Sequence, residues 1–215
     1  MKSAEPRSAR AASRGGRGVM PIACRILFGA SALLGSGSLA FAHPDTAVED
    51  RVTFLFQGAQ IVAIEESWTF DPGYSQTFLA DYKTQPDGSI SEAGSKLIAQ
   101  RIQPNLAEVR FFTYVWVNGR DLGNLHVRNF VATVSGGRLT FTLVVELPTP
   151  VDPRRQALKL EIYDHDYYAA FVLADDGPVR FRDEKGIACE LRIRDDVANA
   201  YFGDVYPQEI TLSCQ

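Results

Sequence analysis

From Val52 to Ile193 the chain consists largely of short runs of alternating apolar and polar residues, each closed by residues that turn the backbone. Successive side chains of an extended strand point to opposite faces, so each run buries one face and needs neighbours to satisfy its backbone groups. Val52, Phe54 and Phe56 alternate with polar or smaller residues, and Gln57-Gly58-Ala59 turns the chain into 60–70, rich in β-branched and aromatic residues. This predicts a hairpin. Further on, 111–117 ends at Asn118-Gly119, and 125–135 meets 138–147 across Gly136-Gly137, two dipeptides that accept the positive φ of tight turns. Strands over 158–164, 167–173, 179–182 and 189–193 follow, with Asp175-Asp176-Gly177-Pro178 as a turn between them.

Helical signals interrupt this pattern once. Asp71-Pro72 offers an N-cap followed by a proline at the first helical position, and Tyr74, Phe78 and Leu79 fall on one face. A second helix is predicted over 91–103, with Glu92 in its first turn and Pro104 interrupting it before a short helical turn at 105–109. The predicted class is therefore α+β: a mainly antiparallel, sandwich-like β-sheet fold with a helical insertion after the first hairpin.

The first 42 residues read as an export signal. Arg7, Arg10, Arg14, Arg17 and Arg25 precede an uncharged apolar run over 26–39, and Phe41 sits between Ala40 and Ala42 in a small-x-small cleavage pattern. Met20 offers an alternative start, since 20–42 is by itself an ordinary secretory signal. A retained anchor is the competing reading, but the run is shorter than the roughly 17 to 25 apolar residues a spanning helix needs. Cleavage after Ala42 leaves residues 43–215 as one exported, periplasmic domain without membrane insertion. It would start at His43, where a free α-amino group and an imidazole share one residue and can chelate a transition metal.

Loss of 1–42 removes six of the 22 basic and one of the 26 acidic residues, leaving a formal charge of −9. Such a domain is a poor nucleic-acid binder. Cys189 and Cys214 remain, and in an oxidising compartment they most simply form one disulfide, the alternative being a thiolate metal pair.

Several segments together resemble one family. They are the signal ending at His43-Pro44, the hairpin closing on Trp68-Thr69-Phe70-Asp71, the stretch from Asn105-Leu106 through Phe112-Thr113 to Val117-Asn118-Gly119, and Tyr163-Asp164 followed by Tyr167-Tyr168. In order and spacing they are similar to domain-of-unknown-function family one thousand and seven, described as the periplasmic component of an uncharacterised transport system, over 43–194. The resemblance implies a periplasmic partner of inner-membrane nickel/cobalt-type transporters, with zinc or nickel as cargo. Relatives usually start His-Pro-His, where this chain has His43-Pro44-Asp45, a carboxylate replacing an imidazole. Relatives also often carry a calcium-type loop. Here Lys83 stands at its first ligand position and Gly94 at that of the bidentate acid, which argues against Ca²⁺ at 83–92.

The remaining histidines admit plainer roles. His126 lies within a strand. His165, flanked by Asp164 and Asp166, forms either an acidic turn or the closing part of a site with His43 and Asp45. Trp68, Tyr163, Tyr167, Tyr168 and Phe171 are read as core and sheet-pairing residues. No nucleophile motif, phosphate loop or nucleotide fingerprint is present, so the chain is not read as an enzyme. Two functions are expected to compete: a periplasmic accessory that binds Zn²⁺ or Ni²⁺ through His43, Asp45, Asp164, His165 and Asp166, or a module that docks on a membrane protein without metal.

Overall fold

A computed structural model describes residues 44–215; residues 1–42, read above as an export signal, and His43 lie outside the described residues. The first hairpin is β1 (Thr46–Gly58) and β2 (Gln60–Phe70), joined through Gly58 at φ +65°. The helical insertion follows as α1 (Pro72–Leu79) and α2 (Glu92–Glu108). Then come β3 (Thr113–Val117), β4 (Arg120–Asp121), β5 (His126–Ser135), β6 (Arg138–Val151), β7 (Leu158–Ile162), β8 (Ala169–Leu173), β9 (Val179–Glu184), β10 (Cys189–Asp195) and β11 (Gln208–Cys214).

Two sheets result, so the chain is a mainly β α+β fold. One sheet has the order β5-β6-β2-β1-β8 with β9 also on β1; the other runs β10-β11-β7-β3-β4. One apolar core draws on both, from Val52, Phe54 and Trp68 of the first to Val115, Leu160 and Ile210 of the second. Three features differ from the predicted pattern. β8 and β9 run parallel to β1, each covering a different part of it. The C-terminal tail is itself β11, an inner strand between β10 and β7. Helix α2 passes through Pro104 without a break. Pro104 and Gln100, whose carbonyl loses its amide partner, are both exposed, so water can satisfy that carbonyl. Ile98, Ile102 and Leu106, four residues apart, pack on the core on either side and carry the helix across.

The helices are docked by serines as well as by apolar contact. Ser75 Oγ accepts the Leu139 amide of β6 at 3.0 Å, and Ser95 Oγ accepts the Ala132 amide of edge strand β5 at 2.8 Å. Both hydroxyls are buried. Ser95→Ala should leave the Ala132 amide buried and unpaired, lowering stability by about 1–3 kcal/mol in denaturant melts. A loss below a few tenths of a kcal/mol would show that the contact is dispensable.

Cys189 and Cys214 face each other across β10 and β11 and form the disulfide, with Cα atoms 4.0 Å apart and a sequence separation of 25. Among the described residues no helix is long and apolar enough to cross a membrane.

Candidate functional site

Asp71 ties the start of the described chain to the helical insertion. Its Oδ1 accepts the Tyr74 amide as the N-cap of α1, while Oδ2 accepts the Thr46 hydroxyl at 2.7 Å and the Ala47 amide at 3.1 Å. These donors, the Tyr74 amide foremost, hold its carboxyl below the usual aspartate range. On its other side the chain start is pinned to the 164–168 turn, where the Asp45 amide donates to the Tyr168 carbonyl at 2.8 Å. Thr46 then begins the parallel pairing with Ala169.

A cavity of about 250 Å³ opens beside this junction. Trp68, Phe70 and Phe141 of the first sheet line it, faced by Tyr74 and Phe78 of α1 and by Ile102 and Leu106 of α2. Phe112 and Phe171 close one side, 5.2 Å apart between ring centroids, and Trp68 lies 5.5 Å from Phe171. The rings hold one another, so the cavity is preformed. Its polar lining comes from Thr46, Asp45, Asp164 and Tyr168.

Phe112 is placed by an unusual backbone. Arg110, Phe111 and Phe112 have φ values of 57°, 51° and 55°, a left-handed turn that delays β3 beyond its predicted start. Such residues cost on the order of 1–3 kcal/mol each unless their surroundings impose them. Here the Arg110 guanidinium is forked onto Asp121, at 3.0 and 2.6 Å, reaches the Gly123 carbonyl and lies over the Tyr114 ring.

The sequence-predicted residues fall unequally around this site. Asp45 and Asp164 line the same cavity. Asp164, only 7% exposed, caps its own turn: its oxygens accept the Asp166 amide at 3.1 Å and the Ala169 amide at 3.0 Å. It is thus a turn-shaping group, and only lone pairs not engaged by those amides remain for a ligand. His165 and Asp166 project from the turn, with side chains 73% exposed and His165 Nδ1 3.8 Å from Asp166 Oδ1. No three of Asp45, Asp164, His165 and Asp166 bring ligand atoms within 4.8 Å of one another among the described residues.

The other singled-out groups have local partners. His126 Nδ1 lies 2.8 Å from Glu146 on the neighbouring strand. In the 83–92 loop, Asp87 accepts the Ser89 amide and hydroxyl, and Ser91 caps α2. Among the aromatic residues, Trp68 and Phe171 line the cavity, Tyr163 stacks on Tyr114 and packs at a tilt against Tyr201, and Tyr168 is 66% exposed at the cavity lining rather than in the core. Tyr167 at φ 57° turns the chain at that point, which is why Tyr168 leaves the strand face.

Two acidic groups were not singled out from sequence. Asp50 and Glu66 lie on the inward face of β1 and β2, diagonally across their pairing, and are essentially unexposed. Burial pushes Asp50 up to about 8, and burial together with the Asp50 charge raises Glu66 well above its ordinary value. Glu66 accepts Trp68 Nε1 at 3.0 Å, whereas among the described residues neither Asp50 carboxyl oxygen has a hydrogen-bond partner. The Thr113 hydroxyl lies 3.0 Å from Glu66 Oε1 and 2.8 Å from the Phe111 carbonyl; its single proton can go to that carbonyl if a protonated Glu66 donates to Thr113. The signal was legible as acids at the inward positions of the Val48-Asp50-Val52-Phe54 and Ile64-Glu66-Trp68-Phe70 alternations.

The second group is Glu161, Asp196 and Glu209, whose carboxylates approach within 4.8 Å. Lys159 Nζ sits among them at 2.8, 3.1 and 3.9 Å and 4.0 Å above the Trp116 ring, so an ammonium already holds the place of a cation. Burial pushes Glu161 up to about 7. The Asn199 amide, Glu161 and Lys159 outweigh burial at Asp196 and hold it at about 2. The network binds the 196–199 turn to β7 and β11.

Comparison with known proteins agrees with the expected resemblance. An uncharacterised 15.5 kDa protein from the trpE 3' region of Spirochaeta aurantia is 27% identical over 104 residues, covering 48% of this chain and 74% of that protein. The family model described as protein of unknown function (DUF1007) matches residues 28–203. The chain belongs to this DUF1007 family.

Proposed function

We propose that this protein is an exported, periplasmic accessory of divalent transition-metal transport, made of one domain over 43–215. It binds Zn²⁺ or Ni²⁺ as cargo and works with an inner-membrane transporter of the nickel/cobalt type. Its scaffold is read as a sandwich-like pair of sheets, a reading supported by the Thr113 to Glu66 contact between them.

The observation that carries the metal reading is the Asp45 to Tyr168 hydrogen bond, which brings the chain start to the Asp164-His165-Asp166 turn. His43 precedes Asp45 by two residues, and two residues of chain span at most about 7 Å. An amino nitrogen and imidazole from His43, the Asp45 carboxylate and a closing ligand from His165 or Asp166 can then meet at one edge. Asp164 shapes the turn and offers at most an additional oxygen. Such a nitrogen and oxygen donor set suits both Zn²⁺ and Ni²⁺. The described ligands do not converge by themselves, so the site depends on His43 and on rotation of the two exposed side chains.

Calorimetric titration of Zn²⁺ into the processed protein tests this reading. His43→Ala should lose most of the binding, His165→Ala should weaken it about tenfold or more, and His126→Ala should change little. Binding should also weaken as pH falls toward 6, because protons compete for an imidazole and an α-amino group with ordinary values near 6.5 and 8. Equal affinity of wild type and His43→Ala would favour the metal-free docking module instead.

A further inference from the structure

We propose that the aromatic cavity is a binding site for a small organic cation, an ammonium group carried on an apolar or aromatic body. The inference does not rest on the metal reading. Its first support is the lining: an interior of aromatic and aliphatic side chains drawn from the first sheet, α1, α2 and the Arg110–Phe112 turn, with the Asp45 and Asp164 carboxylates as its acidic groups. No Lys, Arg or His lines the cavity among the described residues. The second support is Asp164, more than nine-tenths buried and without a cationic partner among the described residues. Its backbone donors satisfy part of its hydrogen-bonding capacity but bring no compensating positive charge.

Size and chemistry restrict the occupant. A volume of about 250 Å³ corresponds to roughly eight waters at about 30 Å³ each, room for a ligand of a similar or slightly larger number of non-hydrogen atoms. Trp68, Phe112 and Phe171 are among the lining residues, and aromatic surface packs against an apolar body and attracts a cation through the ring quadrupole. The acidic lining rejects anions, and a bare metal ion would gain little from the aromatic interior. A protonated arylalkyl amine satisfies both parts: its ring fills the aromatic end and its ammonium meets Asp45 and Asp164.

The test is calorimetric titration of the processed protein, kept in chelator, with 2-phenylethylammonium and with its neutral counterpart 2-phenylethanol. The chelator separates the result from any metal site. The ammonium should bind saturably, one per chain, with Kd on the order of 0.01–1 mM, and the alcohol at least about tenfold more weakly. Leu106→Trp, which fills the cavity from α2, should abolish binding in a protein whose circular dichroism is unchanged. Asp45→Asn is the second variant, since the Asp45 side chain is exposed and makes no hydrogen bond among the described residues; it should weaken the ammonium about threefold to tenfold and leave the alcohol unchanged. No saturable binding of the ammonium up to about 10 mM would overturn the proposal. Equal affinity for the alcohol would overturn its cationic part, and undiminished binding in both variants would place the ligand elsewhere.

Discussion

Asp50→Asn is expected to stabilise the protein at pH 8, on the order of 2–4 kcal/mol, and to change little at pH 5. Asp50 titrates at about 8 in the folded chain against roughly 4 when unfolded, and Glu66 is raised as well. The folded state therefore holds its protons more tightly. The contribution of this pair is complete below about pH 4 and is lost as pH climbs toward 8, where a charge must either stay buried or leave. Depressed groups such as Asp71, Asp121 and Asp152 act in the opposite sense, withdrawing stability as pH falls through their folded values. Denaturant midpoints should thus peak in mild acid. The asparagine variant should lose at least half of the decline between pH 5 and 8. A wild-type profile flat over that range, or an unchanged slope in Asp50→Asn, would mean that the pair is not buried and protonated as described.

The second large effect concerns the disulfide. Replacing both Cys189 and Cys214 by serine should cost about 3 kcal/mol, the loop-closure value for a separation of 25 residues. Because β11 lies between β10 and β7, the loss should be felt first at β10, an edge strand held along one side by β11. Amide exchange should show β10 opening before β7, with protection of β1 and β2 little altered. Global unfolding with no preferential opening of β10 would indicate that the disulfide restrains the whole domain rather than its edge.

What was legible in the sequence was local. The β1 and β2 hairpin is encoded by alternation around Gly58, the start of α1 by the Asp71 side chain and Pro72, and the disulfide by the two cysteines that follow residue 42. The parts that escaped depend on distant partners. Parallel addition of β8 and β9 to β1 joins segments more than a hundred residues apart, and nothing in the run 169–173 states its direction. Pro104 reads as a break until the packing of Ile102 and Leu106 is known. The Arg110–Phe112 turn is imposed by the fork onto Asp121, again a tertiary contact. The candidate site was half legible: Asp45 and Asp164 do share a cavity, and Trp68 and Phe171 belong to the core or pack on it as expected, but nothing in the local sequence shows that they also line that cavity.

The central claim, that the chain start chelates metal for transport, is tested most directly by one comparison. Zn²⁺ is titrated into protein beginning at His43 and into the same protein extended by a single residue, which converts the α-amino group to an amide while keeping every side chain. The account predicts one zinc per processed chain and at least about tenfold weaker binding to the extended form. Equal affinity in the two forms, or no binding to either, would contradict it.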